Sequence, residues 1–307
     1  MPLPLRLCLT SLLLLSSVGC RSTRADAPAH VLVFASGRSA NGDLFVLEGE
    51  EAVPRLLAGT DAPEGNPRWD ASRSRIIYQR FPRDGEAGPT RLVAHGAGDR
   101  PEDGRLLFDD PNGDAPPSWS QDGRWIAYVA ERDGRTDVFL ADAEGGDERR
   151  LTDDDIVDRY PVWGPGSRYL AVARRLPGGW DLFLLDVEAP DAQPVRLTRN
   201  ERYVGHPSWS ADGRFLAFDT VFEEDVEIAM LTLATKEVRR LTTRPGNDLV
   251  PTWSPDGMRV VFGGVVGPEG NWEIWEVDVA TGELSRLTHD PAFDGSPLYV
   301  PASLVAK

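Results

Sequence analysis

Apolar and polar positions along this chain alternate in short bursts separated by tight-turn residues. RWIAYVAE (124–131) and DVFLADA (137–143) show the period-two pattern of packed strands. PSWS (117–120) reads as a short strand before them and ERRLT (148–152) as a short strand after them. Between these runs stand QDG and RDGRT, where Gly supplies the positive φ that a tight hairpin needs. Strands joined this way form an antiparallel, four-stranded sheet.

The unit recurs. PSWSADGRFLAF (207–218) and PTWSPDGMRVVF (251–262) repeat its first half. An aromatic residue with Pro two positions earlier stands at Trp69, Trp119, Trp163, Trp209, Trp253 and Tyr299. Twelve residues before each is a Leu: Leu57, Leu107, Leu151, Leu197, Leu241 and Leu287. After the five Trp come apolar pairs such as Ile126/Tyr128 and Leu216/Phe218. Several columns in one register, at a period between 40 and 50 residues, predict propeller blades. A lone blade would leave two apolar faces wet, so each sheet needs a copy on either side.

The two ends of the chain share a unit. HVLVF (30–34) matches the second strand of the repeat without a first strand before it, and SPLYVP (296–301) is a first strand without a second. The expected fold is therefore all-β, a six-bladed β-propeller over residues 30–301, with the first blade closed by the C-terminal strand. Residues 302–307 read as a tail. Open blade edges would otherwise invite aggregation.

The pattern PxWSPDGxxIAF…D(I/L)(F/Y)…RRLT resembles the TolB-type β-propeller repeat, which also occurs in the propellers of prolyl-oligopeptidase-like peptidases. The resemblance covers about residues 30–301 and is specific for fold more than for function. TolB proteins carry an α/β domain ahead of the blades. Only residues 20–29 separate Cys20 from the first strand here, so this chain is expected to lack that domain.

The N-terminal segment has a different character. Only Arg6 is charged before Cys20, and residues 7–18 are apolar or small. Twelve residues are too few to cross a hydrocarbon core, which needs roughly 20. The run has the form of a secretory signal. Ser17-Val18-Gly19-Cys20 resembles the lipobox of bacterial lipoproteins, which implies cleavage after residue 19, acylation of Cys20 and a lipid-anchored tether over 20–29. Cys8 lies in the segment removed, so no internal disulfide forms in the mature protein. Arg21 in place of Asp favours the outer membrane, facing the periplasm, by the same resemblance.

Charge narrows the partners. The formal net charge is −16, and loss of Arg6 makes it one unit more negative. Such a surface repels phosphate backbones, so nucleic acid is excluded as an expected partner. A protein or peptide of the cell envelope is the expected one. The reading is of a non-enzymatic envelope scaffold that binds through an acidic channel face; the alternative is a propeller-type carbohydrate lyase or hydrolase.

Candidate chemistry is sparse. No Gly-x-Ser-x-Gly elbow occurs, and the four histidines (His30, His95, His206, His289) show no metal-ligand spacing. His206 and His289 are placed in inter-blade connections. The acidic run 153–155 reads as a solvated loop. Trp180 and Trp272 flank turns, where they pack on hairpins. One column stands out: five residues before each repeat aromatic are Glu64, Asp114, Asp158, Val204, Asp248 and Asp294. Five acids in six slots exceed what 49 acids in 307 residues supply by chance. The resemblance places this segment across the face where the channel opens. There the five would form a ring of carboxylates that draws cations or a basic peptide terminus. No cofactor is required; calcium or another divalent cation is a conceivable occupant.

Overall fold

The computed structural model describes residues 29–305 apart from 40, 50–51, 84–85, 87, 111–115, 144, 200–201 and 268–269. Six four-stranded antiparallel sheets stand around one axis. Five are built from consecutive strands, and the sixth inserts the last strand, Asp294–Pro301, beside the first, His30–Ser36. We number the blades from that composite one. The closing pair runs from His30 against Pro301 to Ser36 against Asp294. Among the described residues no helix is long and apolar enough to cross a membrane.

Both faces of each blade are apolar because each has a neighbour. Alternate residues of one strand turn to opposite faces. In blade 1, Val31 and Val33 join Ile76 and Tyr78 of blade 2, while Leu32 and Phe34 join Val261 and Ile274 of blade 6. The apolar core is divided into six clusters of this kind, one at each blade boundary. The cluster between blades 6 and 1 exists only because the ring closes.

The outer strands explain the recurrent Arg-Leu-Thr. In blade 4, Arg196 and Thr198 both hydrogen-bond the buried carboxylate of Asp181, and the Thr198 hydroxyl accepts the backbone N–H of Leu182 at 2.9 Å. Arg150/Thr152 on Asp137, Arg240/Thr242 on Glu227 and Arg286/Thr288 on Glu273 repeat the arrangement. Leu197 between them enters the core. A two-residue outer strand is thereby held without a long ladder.

Two expectations need correction. Outside blade 3, the inner strands begin before the Pro-x-aromatic, at the column position itself, as in Asp158–Trp163 and Asp248–Trp253. Residues 302–305 are also more than a tail. Ala302 donates to the Ala29 carbonyl, Arg55 donates to the Val305 carbonyl, and Leu304 and Val305 are buried in the core of blade 1. Two apolar side chains at the chain end gain more from that core than from water.

Candidate functional site

The inner strands line a channel that encloses about 270 Å³ and draws its walls from all six blades. Its mouth is shaped by one repeated irregularity. The ladder between first and second strands breaks between Gly65 and Arg68, Arg159 and Val162, Gly205 and Ser208, and Leu249 and Thr252, and again where blade 1 pairs with Gly295. The skipped residues are an X-Pro pair each time. Pro has no N–H to give a ladder, so a bulge forms around it. The residue ahead of Pro takes a left-handed conformation: Asn66 (φ 51°), Tyr160 (53°), His206 (40°), Val250 (56°) and Ser296 (50°). In blade 3 that slot is Pro116, whose ring forbids positive φ, and the inner strand there is only Ser118–Trp119. Strained backbone costs about 1–3 kcal/mol per residue, more readily tolerated by Asn than by a β-branched Val, and it concentrates at functional sites.

Tyr160, His206 and Val250 of this ring line the channel. Ser296 of blade 1 donates to Asn66 of blade 2 at 3.1 Å, and Asn66 donates to Gln79 at 2.7 Å. His206 therefore sits on the inner strand Val204–Trp209, not in a connection as expected. Its Nδ1 lies 2.7 Å from the buried Asp219 carboxylate, which also accepts the Val250 N–H at 2.9 Å. The Tyr160 ring lies tilted against His206, with centroids 4.2 Å apart. Burial and the Asp219 charge both push the Tyr160 and Tyr203 hydroxyls to higher pKa, so they stay neutral donors. Asp219, Tyr160 and His206 thus tie blades 4, 5 and 6 together at the mouth.

The carboxylate column stands two residues before this ring. Asp114, like Cys20, lies outside the described residues. Glu64, Asp158, Asp248 and Asp294 share one position at the start of their inner strands, all four buried. Each carries an arginine. Arg80 reaches Glu64 at 2.7 Å, Arg174 reaches Asp158 at 2.7 Å, Arg38 reaches Asp294 at 2.7 Å, and Arg244 pairs with Asp248. The geometry differs from an open ring of negative charge, because every described member is shielded and offset by a cation. Blade 5 replaces the cross-strand acid–arginine pair by Val204 opposite Thr220. Among the described residues no three His, Cys, Asp or Glu side chains gather as a metal site. The acidic run 153–155 is partly paired, with Asp153 on Arg135 and Asp154 on Arg174.

Burial raises these carboxyls well above the ordinary range: Asp158 and Asp294 to about 6, Glu64 and Asp248 to about 7. One oxygen each of Asp158, Asp248 and Asp294 has no hydrogen-bond partner, as a site for a proton would. A group with a raised folded-state pKa gives stability that is full below its unfolded value, near pH 4, and lost as pH rises through 6 to 7. The melting temperature is therefore expected to be higher at pH 5.5 than at pH 8, by roughly 2–4 °C for each kcal/mol involved. Calorimetry across that range checks this; a melting temperature that climbs toward pH 8 would show that the arginines keep the carboxyls ionised.

Comparison with known proteins agrees with the geometry. Residues 180–305 match the TolB beta propeller domain family. The solved TolB of Acinetobacter baumannii superimposes with a TM-score of 0.76 over 88% of this chain and 66% of that one, at 17% identity. Over these residues the chain is similar to the TolB-type β-propeller family, and its fold is that of a six-bladed propeller. Within Tol-Pal system protein TolB of Francisella tularensis subsp. holarctica (strain OSU18), 94 residues are 30% identical, covering 31% of this propeller chain and 22% of that protein. The propeller fold is also shared, at a TM-score of 0.57 and 13% identity over 85% of this chain and 74% of the other, with an oligogalacturonate lyase in complex with manganese.

The repeat aromatics both pack and line. Trp119, Trp163 and Trp253 are buried, and Trp209 lies over Gly164 of the neighbouring blade, where a Cβ would come within 3.1 Å of the ring. Trp209 and Trp253 donate across blade boundaries to the Val162 and Ser208 carbonyls. What the sequence reading passed over is the residue before each Pro. It was visible as the slot ahead of a repeated Pro, but its turn toward the channel depends on the bulge.

Proposed function

We propose that this protein is a non-enzymatic binding scaffold of the bacterial cell envelope, holding a protein or peptide partner at the mouth of its channel. The observation that carries this reading is the set of strained bulges in five blades, which in blades 4, 5 and 6 brings Tyr160, His206 and Val250 to one opening. Chemically diverse residues on a rigid frame suit recognition of one partner surface. The buried acid–arginine pairs serve as the frame that holds the ring, and the surface offered to a partner is Tyr160, His206 and Val250. Family likeness supports an envelope setting: a Tol-Pal system protein is among the relatives. Lipid attachment through Cys20 would fix the propeller at the membrane, with the outer membrane as the expected site. The scaffold requires no metal, so calcium or a chelator should leave partner binding unchanged.

Photo-crosslinking from introduced residues tests the reading. Probes at positions 160 and 250 should trap one specific envelope protein in cells, and a probe at position 256, in the turn at the far end of an inner strand, should not. Equal trapping from both ends, or none from the mouth, would overturn it. Labelling with a fatty acid, lost in Cys20→Ser, checks the anchor.

The His206–Asp219 pair favours a second reading, a carbohydrate lyase or hydrolase with His206 as a base oriented by a buried carboxylate. Turnover of uronate-containing oligosaccharides that is abolished by His206→Gln, with the melting curve intact, would establish it over the scaffold.

A further inference from the structure

One position of the inner strands faces the channel in every blade, the residue just before the repeat aromatic. The six occupants are Arg68, Ser118, Val162, Ser208, Thr252 and Leu298, and all six line the same cavity. Five are uncharged. Arg68 is the one Arg or Lys in a channel otherwise walled by indoles, prolines, hydroxyls, aliphatic side chains, the Tyr160 ring and the His206 imidazole, the last already paired with Asp219.

The buried acids of the column each have an arginine, yet Arg68 has no carboxylate partner among the described residues. Its one hydrogen bond is Nη1 to the adjacent Pro67 carbonyl, at 3.0 Å. Burial lowers its pKa to about 10, which leaves it charged at neutral pH. The half-buried guanidinium has given up part of its water without gaining a counter-charge, and its field is screened less in the channel than on an open surface. The hydroxyls of Ser208 and Thr252 line the same cavity and make no hydrogen bond among the described residues. Ser208 belongs to blade 5, across the axis from blade 2. Ser118 differs, since its hydroxyl already accepts the Trp163 N–H at 3.0 Å.

We infer that Arg68 anchors a carboxylate-binding site inside the channel, and that the carboxylate is the end of a peptide chain entering from the ring. The guanidinium fork matches a planar carboxylate in two parallel hydrogen bonds. Ser208 and Thr252 supply donors from other blades, and the indoles of Trp69 and Trp209 flank the chain behind the carboxylate. A volume of 270 Å³ corresponds to roughly nine waters at about 30 Å³ each, which accommodates an extended chain end and excludes a folded domain. The peptide as source of the carboxylate rests on the scaffold reading; the anion site itself does not.

Binding of N-acetyl-Gly-Leu, with its free carboxylate, is compared with N-acetyl-Gly-Leu amide, sodium acetate and inorganic phosphate on the full chain, by calorimetric titration. The acid should bind at least tenfold more tightly than the amide. Arg68→Met, which keeps the length of the side chain but not its charge, should erase that difference while the melting temperature stays the same or rises. Acid and amide binding alike, an unchanged preference in Arg68→Met, or a preference for phosphate would overturn the site. Acetate binding as tightly as the dipeptide acid, still dependent on Arg68, would keep the site and overturn the peptide as its occupant. Crosslinking from position 160 in Arg68→Met cells separates the two proposals: a partner still trapped there, with the dipeptide preference gone from the wild type too, leaves the scaffold standing without this site. A dipeptide preference without any trapped partner does the reverse.

Discussion

Removal of residues 296–307 abolishes the cooperative native transition, or lowers the melting temperature by more than about 15 °C. The segment supplies most of the inner strand of blade 1, which pairs with His30–Ser36 along its length. It also places Leu298, Val300, Leu304 and Val305 in the cluster between blades 1 and 2. At about 1.5–3 kcal/mol for each fully buried aliphatic side chain, these four contribute roughly 6–12 kcal/mol. That is comparable with the whole stability of a typical domain, about 5–15 kcal/mol. Loss of the strand also opens the inner edge of blade 1 and uncovers its neighbours, so aggregation should accompany unfolding. Thermal melting and gel filtration of the truncated chain make the test, and a synthetic peptide spanning 294–305 should partly restore the transition when added. A truncated chain that melts like the full one would show that the ring is held without its terminal strand.

The second large effect lies in the acid–arginine frame. Arg174→Ala is expected to destabilise the protein by about 3–5 kcal/mol, because it strands Asp158, fully buried, without a counter-charge. At roughly 2–4 °C per kcal/mol for a chain of this size class, the melting temperature should fall by about 6–20 °C. Arg174 is almost fully buried and also bonds Asp154, so water cannot easily take its place. The molecule contains its own control. In blade 5 the same cross-strand positions hold Val204 and Thr220, an uncharged pair in which Val204 packs in an apolar cluster and the Thr220 hydroxyl donates to the Tyr203 carbonyl. The double change Asp158→Val with Arg174→Thr should therefore cost far less than the single one, since replacing both partners of a buried ion pair is commonly near neutral. A double variant as unstable as Arg174→Ala would mean that blade 4 depends on the arginine stem or its Asp154 contact rather than on the pair.

These two tests bear on different levels of the structure, and the levels were not equally legible. Blade count and closure followed from columns such as Leu57 to Leu287 and Trp69 to Tyr299, because a stacked array forces every unit to present the same apolar residues at the same offsets. The acid–arginine pairs were half legible. Glu64/Arg80 and Asp158/Arg174 keep one spacing because they sit opposite each other in the ladder. Asp248 and Asp294 use Arg244 and Arg38, which come from connections and share no spacing with the others. Counting acids alone therefore suggested an exposed ring where the fold builds a neutralised frame. Residues 302–305 looked like a tail for a similar reason: three or four residues show no period, and only the apolar cluster shared by blades 1 and 2 gives Leu304 and Val305 a place to pack.

By itself the sequence determined a closed ring of six sheets, since alternation and period are local and repeat with the chain. Only the tertiary structure decided what the ring presents. The Pro bulge sets which way Asn66, Tyr160, His206, Val250 and Ser296 face, the pairing of Val204–Trp209 with Phe215–Phe222 brings Asp219 to His206, and convergence on one axis makes Arg68 a solitary charge. Those are properties of distances between residues far apart in the chain, and a linear pattern carries no measure of them.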